Sequence, residues 1–109
     1  MRRLAVYFND VKVGILTEQN PGNGYLFQYS EDYLRSSMPP ISATLPKQKD
    51  AYNSKHLFPF FSNMIPEGAN RKVICHTQRI DEDDFFGLLE AMANKDFIGA
   101  VNIRRINND

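Results

Sequence analysis

The sequence has no tryptophan and a single cysteine, Cys75. One thiol cannot close an internal disulfide, which excludes the scaffold logic of small secreted proteins and makes a reducing cytoplasm the expected location. Charge of one sign is missing as well. Thirteen Lys and Arg balance thirteen Asp and Glu, so no global field would hold a polyanion, and nucleic acid is not expected as a direct partner. No apolar run approaches the roughly 20 residues of a spanning helix. Met1-Arg2-Arg3 leads into a strand-like pattern and not an apolar signal core, so neither membrane contact nor an export signal is expected.

What is present suits one folded domain. With 42% hydrophobic and 12% aromatic residues in 109, the chain can hide roughly two-thirds of its unfolded surface without staples. A single domain over 1–109 is expected, with its core at about 4–103 and a polar tail at 104–109. Leu4–Phe8 and Val11–Leu16 are β-branched and aromatic, and the Asn9-Asp10 between them tolerates positive φ, which predicts a β-hairpin. Asn20–Gly24 stacks five turn-forming residues as a loop. Tyr25, Phe27 and Tyr29 alternate as a third strand, and Ser30 caps a helical turn. Ile41–Leu45, bracketed by Pro39-Pro40 and Pro46, reads as a short edge strand. Leu57, Phe60, Phe61 and Met64 follow helical spacing with Ser54 as N-cap, although Pro59 is awkward inside that span. Pro66-Glu67-Gly68 ends the run, and Asn70–Gln78 forms a second helix. Asp81 opens a third, with Phe85, Leu88, Leu89 and Met92 on one face. Ile98–Ile103 is a last strand. The pattern predicts an α+β domain, a mostly antiparallel sheet of four to five strands with about three helices on one face.

The chemistry-bearing groups are sparse. Asp81-Glu82-Asp83-Asp84 lacks the spaced oxygens and central glycine of a calcium loop, and reads better as helix capping. Cys75-His76 would need more ligands for zinc, and adjacent helical positions point about 100° apart, which spoils a Cys-His nucleophile pair. Cys75 reads as a small core residue. Gly22-Asn23-Gly24 lacks the spacing of a phosphate loop. Lys47-Gln48-Lys49 reads as solvated surface. Phe58 would make an aromatic patch only if it faced outward. No catalytic residue, metal ligand or cofactor site is expected.

An ordered set of motifs adds to this. Pro40-Ile41-Ser42, Leu45-Pro46, then Leu57-x-Pro59-Phe60-Phe61-x-Asn63-x-x-Pro66-Glu67-Gly68, then Asp83-x-Phe85-x-x-Leu88 and Gly99-Ala100-Val101 resemble the N-terminal subdomain of HipA-type toxin kinases. The resemblance runs from Val6 to about Ile103. In that family the chain continues into a serine/threonine kinase fold carrying the ATP site and catalytic aspartates, none of which these residues include, so no kinase activity is expected here. A free-standing chain of this kind is similar to HipS-like antitoxins, which bind and neutralise a shortened HipT or HipA-like kinase beside a HipB-like helix-turn-helix protein. The resemblance implies a non-catalytic binding module. The alternative is a non-inhibitory accessory subunit that completes the kinase or a HipB-type repressor complex on DNA. The expected kinase-facing surface is the turn Pro66, Glu67, Gly68, Ala69, Asn70 and Arg71. Some HipS-like chains carry a large aromatic just after the glycine; Ala69 stands there in this chain, which shifts the weight to Arg71, Glu67 or another face.

Overall fold

The computed structural model describes residues 1–65, 67–93 and 101–106. Strand β1, Arg2–Phe8, turns into β2, Val11–Asn20, through Asn9 and Asp10, both at positive φ (49° and 67°). That geometry matches the right-handed strand twist in a two-residue hairpin. One extra residue, Val13, bulges from β2 opposite Val6 and Tyr7, and its side chain is fully buried. The expected loop at Asn20–Gly24 is tighter than its composition suggested: Asn20 pairs with Asn23, leaving only Pro21-Gly22 at the tip, with Gly22 at φ 71°. Strand β3, Asn23–Tyr29, follows, and α1, Glu31–Arg35, starts on Ser30, whose hydroxyl accepts the Tyr33 N–H at 3.2 Å.

The strand expected at Ile41–Leu45 is instead a turn, in which the Leu45 N–H donates to the Ser42 carbonyl at 3.0 Å. Its anchor is the Tyr29 hydroxyl, which accepts the Ile41 N–H at 3.2 Å and donates to the Leu45 carbonyl. Prolines on both sides leave this segment too few donors for a ladder. The fourth strand, β4, is Tyr52–Ser54, and the C-terminal strand β5 is Val101–Arg105. The antiparallel sheet has the order β4-β3-β2-β1-β5. β5 takes in Arg104 and Arg105, read from the sequence as tail. Arg104 bonds Asp10 at 2.5 Å and stacks 4.0 Å over Tyr7, while Arg105 donates to the Glu90 carbonyl at 3.1 Å. Residues 98–100 of the expected strand lie outside the described residues.

Ser54 is not a helix cap; its hydroxyl accepts the His56 N–H at the end of β4. Helix α2, Pro59–Ser62, starts one residue after Phe58, which places Pro59 at the first helical position. There a missing N–H costs nothing, so the awkward proline is the starter. Helix α3, Gly68–Gln78, ends on Arg79 in the left-handed region (φ 57°). Helix α4 is Phe85–Met92 and is capped by Asp84, whose carboxylate accepts the Gly87 N–H at 3.0 Å. The sequence placed this start at Asp81, but Asp81 accepts the Asp83 N–H in a local turn of its own. The later start rotates the buried face: Phe86, Leu88 and Leu89 are inaccessible, whereas Phe85 is 37% exposed.

The helices and the pinned loop cover one face of the sheet. Leu4, Val6, Leu16, Phe27 and Ile103 meet Phe61, Phe86, Leu88 and Leu89 there. Phe58 and Phe61 are both buried, so no exposed aromatic patch exists at that end of α2. Gly14 sets the β2–β3 spacing, since a Cβ added to it would lie 2.1 Å from the Gln28 carbonyl oxygen. Gly14→Ala is therefore expected to cost about 2–3 kcal/mol through forced strand separation. A urea melt of the variant checks this, and a midpoint equal to that of the parent would contradict it.

Candidate functional site

The stretch singled out from the sequence joins α2 to α3. Pro66 lies outside the described residues. On its two sides the chain is anchored: Ile65 is buried at 4% exposure, and Cys75 at 7% holds the middle of α3. Between these anchors Glu67, Gly68, Ala69 and Asn70 are exposed and Arg71 is half-buried. Glu67 is extended (φ −120°, ψ 163°) and makes no side-chain capping bond. Gly68 adopts φ 60°, a left-handed conformation that favours glycine, and this bend redirects the chain into α3. The Arg71 guanidinium lies 5.7 Å over the Phe85 ring and ties the first turn of α3 to the start of α4. The predicted residues that are described thus form the exposed entry and first turn of α3, closed on one side by the half-buried Arg71.

Other candidates resolve into structural roles. Asp84 caps α4 and at the same time holds Arg2 through two bonds of 2.8 and 3.2 Å. Arg2 also bonds Glu18 at 2.7 Å through Nε, approaches Glu90 at 3.4 Å, and lies 5.2 Å over Phe86. Glu18 is 2% exposed, and its second oxygen accepts the Gly22 N–H at 3.1 Å and the Tyr25 hydroxyl at 3.3 Å. The hydrogen bond from Arg2 holds the Asp84 carboxyl below the usual carboxylate range against the opposing effect of its burial. Burial first, and the Glu18 charge second, push the Tyr25 phenol up. This part-buried ion network, built around the buried Glu18, was not anticipated from the sequence. Lys47, expected in solvent, donates to the Ser36 and Met38 carbonyls at 2.8 and 2.9 Å and sits over Tyr33, so it braces the loop after α1.

Cys75 and His76 do not form a pair: Cys75 faces the core while His76 is exposed. Burial raises the Cys75 thiol pKa, which keeps it protonated and poorly nucleophilic. Among the described residues no group of three His, Cys, Asp or Glu is placed to hold a metal ion. No described helix is long and apolar enough to cross a membrane. An open cleft beside Arg2, Pro21, Gly22, Asp81, Asp83 and Asp84 is lined by groups that mostly serve the turn and the ion network.

Compared with known proteins, residues 4–104 match the family model described as HipA N-terminal domain. The chain belongs to the HipA N-terminal domain family. A solved structure described as the N-terminal domain of HipA toxin superposes with a TM-score of 0.74 at 28% identity, covering all of this chain and 96% of that one. An uncharacterised protein of Haemophilus influenzae is 34% identical over 92 residues, 84% of this chain and 81% of its own length. A Sinorhizobium fredii protein named "Putative kinase Y4mE" is 30% identical over 104 residues, 94% of this chain. The chain spans 24% of the length of that kinase-named relative. The matched part is thus the domain described as the N-terminal domain of HipA.

Proposed function

We propose that this HipA N-terminal domain is a non-catalytic binding module that docks on a HipA-like or HipT-like serine/threonine kinase and neutralises it, as the antitoxin of a toxin–antitoxin system. The observation that carries the reading is the exposed turn Glu67–Arg71, held between the buried Ile65 and Cys75. Such a turn offers a partner a preformed shape, so little conformational freedom is lost on binding. A domain that makes up a quarter of a kinase-named relative has reason to keep a surface complementary to the remainder when the two are separate chains. Holding a kinase lobe in an inactive arrangement needs differential affinity for that arrangement and no reacting group.

Coexpression tests the proposal. A HipA-type kinase polypeptide from the same genome that lacks this domain should arrest growth alone, and the present chain should co-purify with it and restore growth. A complex that forms while arrest persists would favour the accessory-subunit reading, in which the domain completes the kinase or a HipB-like repressor assembly. Absence of a complex would remove both.

A further inference from the structure

Helix α3 turns most of its surface to solvent. Of its 11 residues only Cys75 is buried, with Ile74 partly covered against the core. Isolated helices shorter than roughly 12–15 residues are marginal in water, and most helical stability in proteins comes from packing of an apolar face. Yet α3 turns apolar surface away from the domain. Val73 is 63% exposed, above Phe85 at 37% and Val11 at 44%, and among the described large apolar residues only the terminal Met1 exceeds it, at 84%. A β-branched residue in mid-helix lowers helix propensity, so Val73 contributes neither to the core nor to local stability at this position. Ala69 lies one turn earlier on the same outer stripe.

Charge is distributed unevenly around that stripe. Between Glu67 and Asp81 the helix itself carries no Asp or Glu, while Arg71, Lys72 and Arg79 are cationic, in a chain whose formal charge is zero. Lys72 and Arg79 are exposed beside the stripe, whereas Arg71 is turned onto Phe85. A second copy of the domain would bring the same cations face to face, so self-association through α3 is disfavoured. The complement is an apolar pocket with an acidic rim.

We infer that the outer stripe of α3, centred on Val73 with Ala69 beside it and Lys72 at the rim, docks into an acid-rimmed apolar pocket on the kinase polypeptide. This rests on the proposed function and extends its interface from the turn Glu67–Arg71 along the helix that begins there. Val73 is the apolar anchor and Lys72 gives charge complementarity.

The test uses the full chain and the kinase polypeptide described above. Val73→Asp is expected to weaken the complex by roughly thirtyfold or more, the loss typical of a central anchor. Val73→Ala should weaken it by about tenfold although it improves helix propensity, and Lys72→Glu should weaken it with a reduced salt dependence. Thermal melting of Val73→Asp and Lys72→Glu alone should stay close to the parent because these side chains face solvent, and that of Val73→Ala should be equal or slightly higher. Amide exchange across residues 69–77 should slow when the kinase is added. Were Val73→Asp to unfold the chain, Val73→Ala, Lys72→Glu and the exchange experiment would still decide. If the parent binds the kinase while these variants bind equally and α3 exchange is unchanged, the docking surface lies elsewhere and only this inference falls. If the parent forms no complex, the functional proposal falls with it.

Discussion

Phe61→Ala is expected to destabilise the domain by about 3–5 kcal/mol, enough to unfold much of a protein this size at 37 °C. Phe61 is fully buried and packs against three other rings. Its centroid lies 5.5 Å from that of Phe27 in β3, 5.2 Å from Phe60 and 6.3 Å from Phe58. Truncation removes most of the side chain's contacts and leaves a cavity that neighbours drawn from a strand and a rigid proline-started turn fill poorly. The same residue sits four positions before Ile65, so the loss also loosens the base of the Glu67–Arg71 turn. Kinase binding should therefore fall in parallel with stability. Chemical denaturation measures the first effect, and a loss below about 1 kcal/mol would mean that the site collapses, or that the core is centred elsewhere.

Arg2→Ala is the second large effect, with an expected loss of about 2–4 kcal/mol, between the values for exposed and for buried broken ion pairs because Arg2 is partly accessible. The change leaves Glu18, at 2% exposure, without its cation and releases the Asp84 cap from its partner. It carries a pH signature. Because the folded-state pKa of Asp84 is depressed, chiefly by the Arg2 hydrogen bond, this group's contribution is present above the unfolded value of about 4 and is lost as pH falls through the lower folded value. Denaturation midpoints of the parent should therefore drop more steeply below about pH 4 than those of Arg2→Ala. Parallel pH profiles would show that the Arg2–Asp84 bond contributes nothing to folding.

Much of the architecture was legible because it is local. The hairpin at Asn9-Asp10, the alternating Tyr25, Phe27 and Tyr29, and the Ser30 cap each depend on neighbours within a few residues. The errors arose where a distant group decided. Ile41–Leu45 looks extended between its prolines, but the Tyr29 hydroxyl folds it into a turn. The start of α4 was placed three residues early because every acidic residue from Asp81 to Asp84 suits a helix N-terminus. Only the Gly87 N–H and Arg2, 82 positions away, select Asp84. The ion network was within reach of register reasoning, since Arg2 and Glu18 are direct cross-strand partners once Leu4 is paired with Leu16. The left-handed bend that opens α3 was legible from Gly68. The outward Val73 was not, because an apolar residue in a helical pattern reads as core until the packing partner is known.

That this domain silences a kinase through contact alone is tested most directly by phosphoryl transfer from the kinase polypeptide, followed as the purified chain is titrated in. Transfer should fall to background as the chain saturates its partner, and Val73→Asp should leave it running. Transfer that is unchanged or rises at saturation would contradict the account.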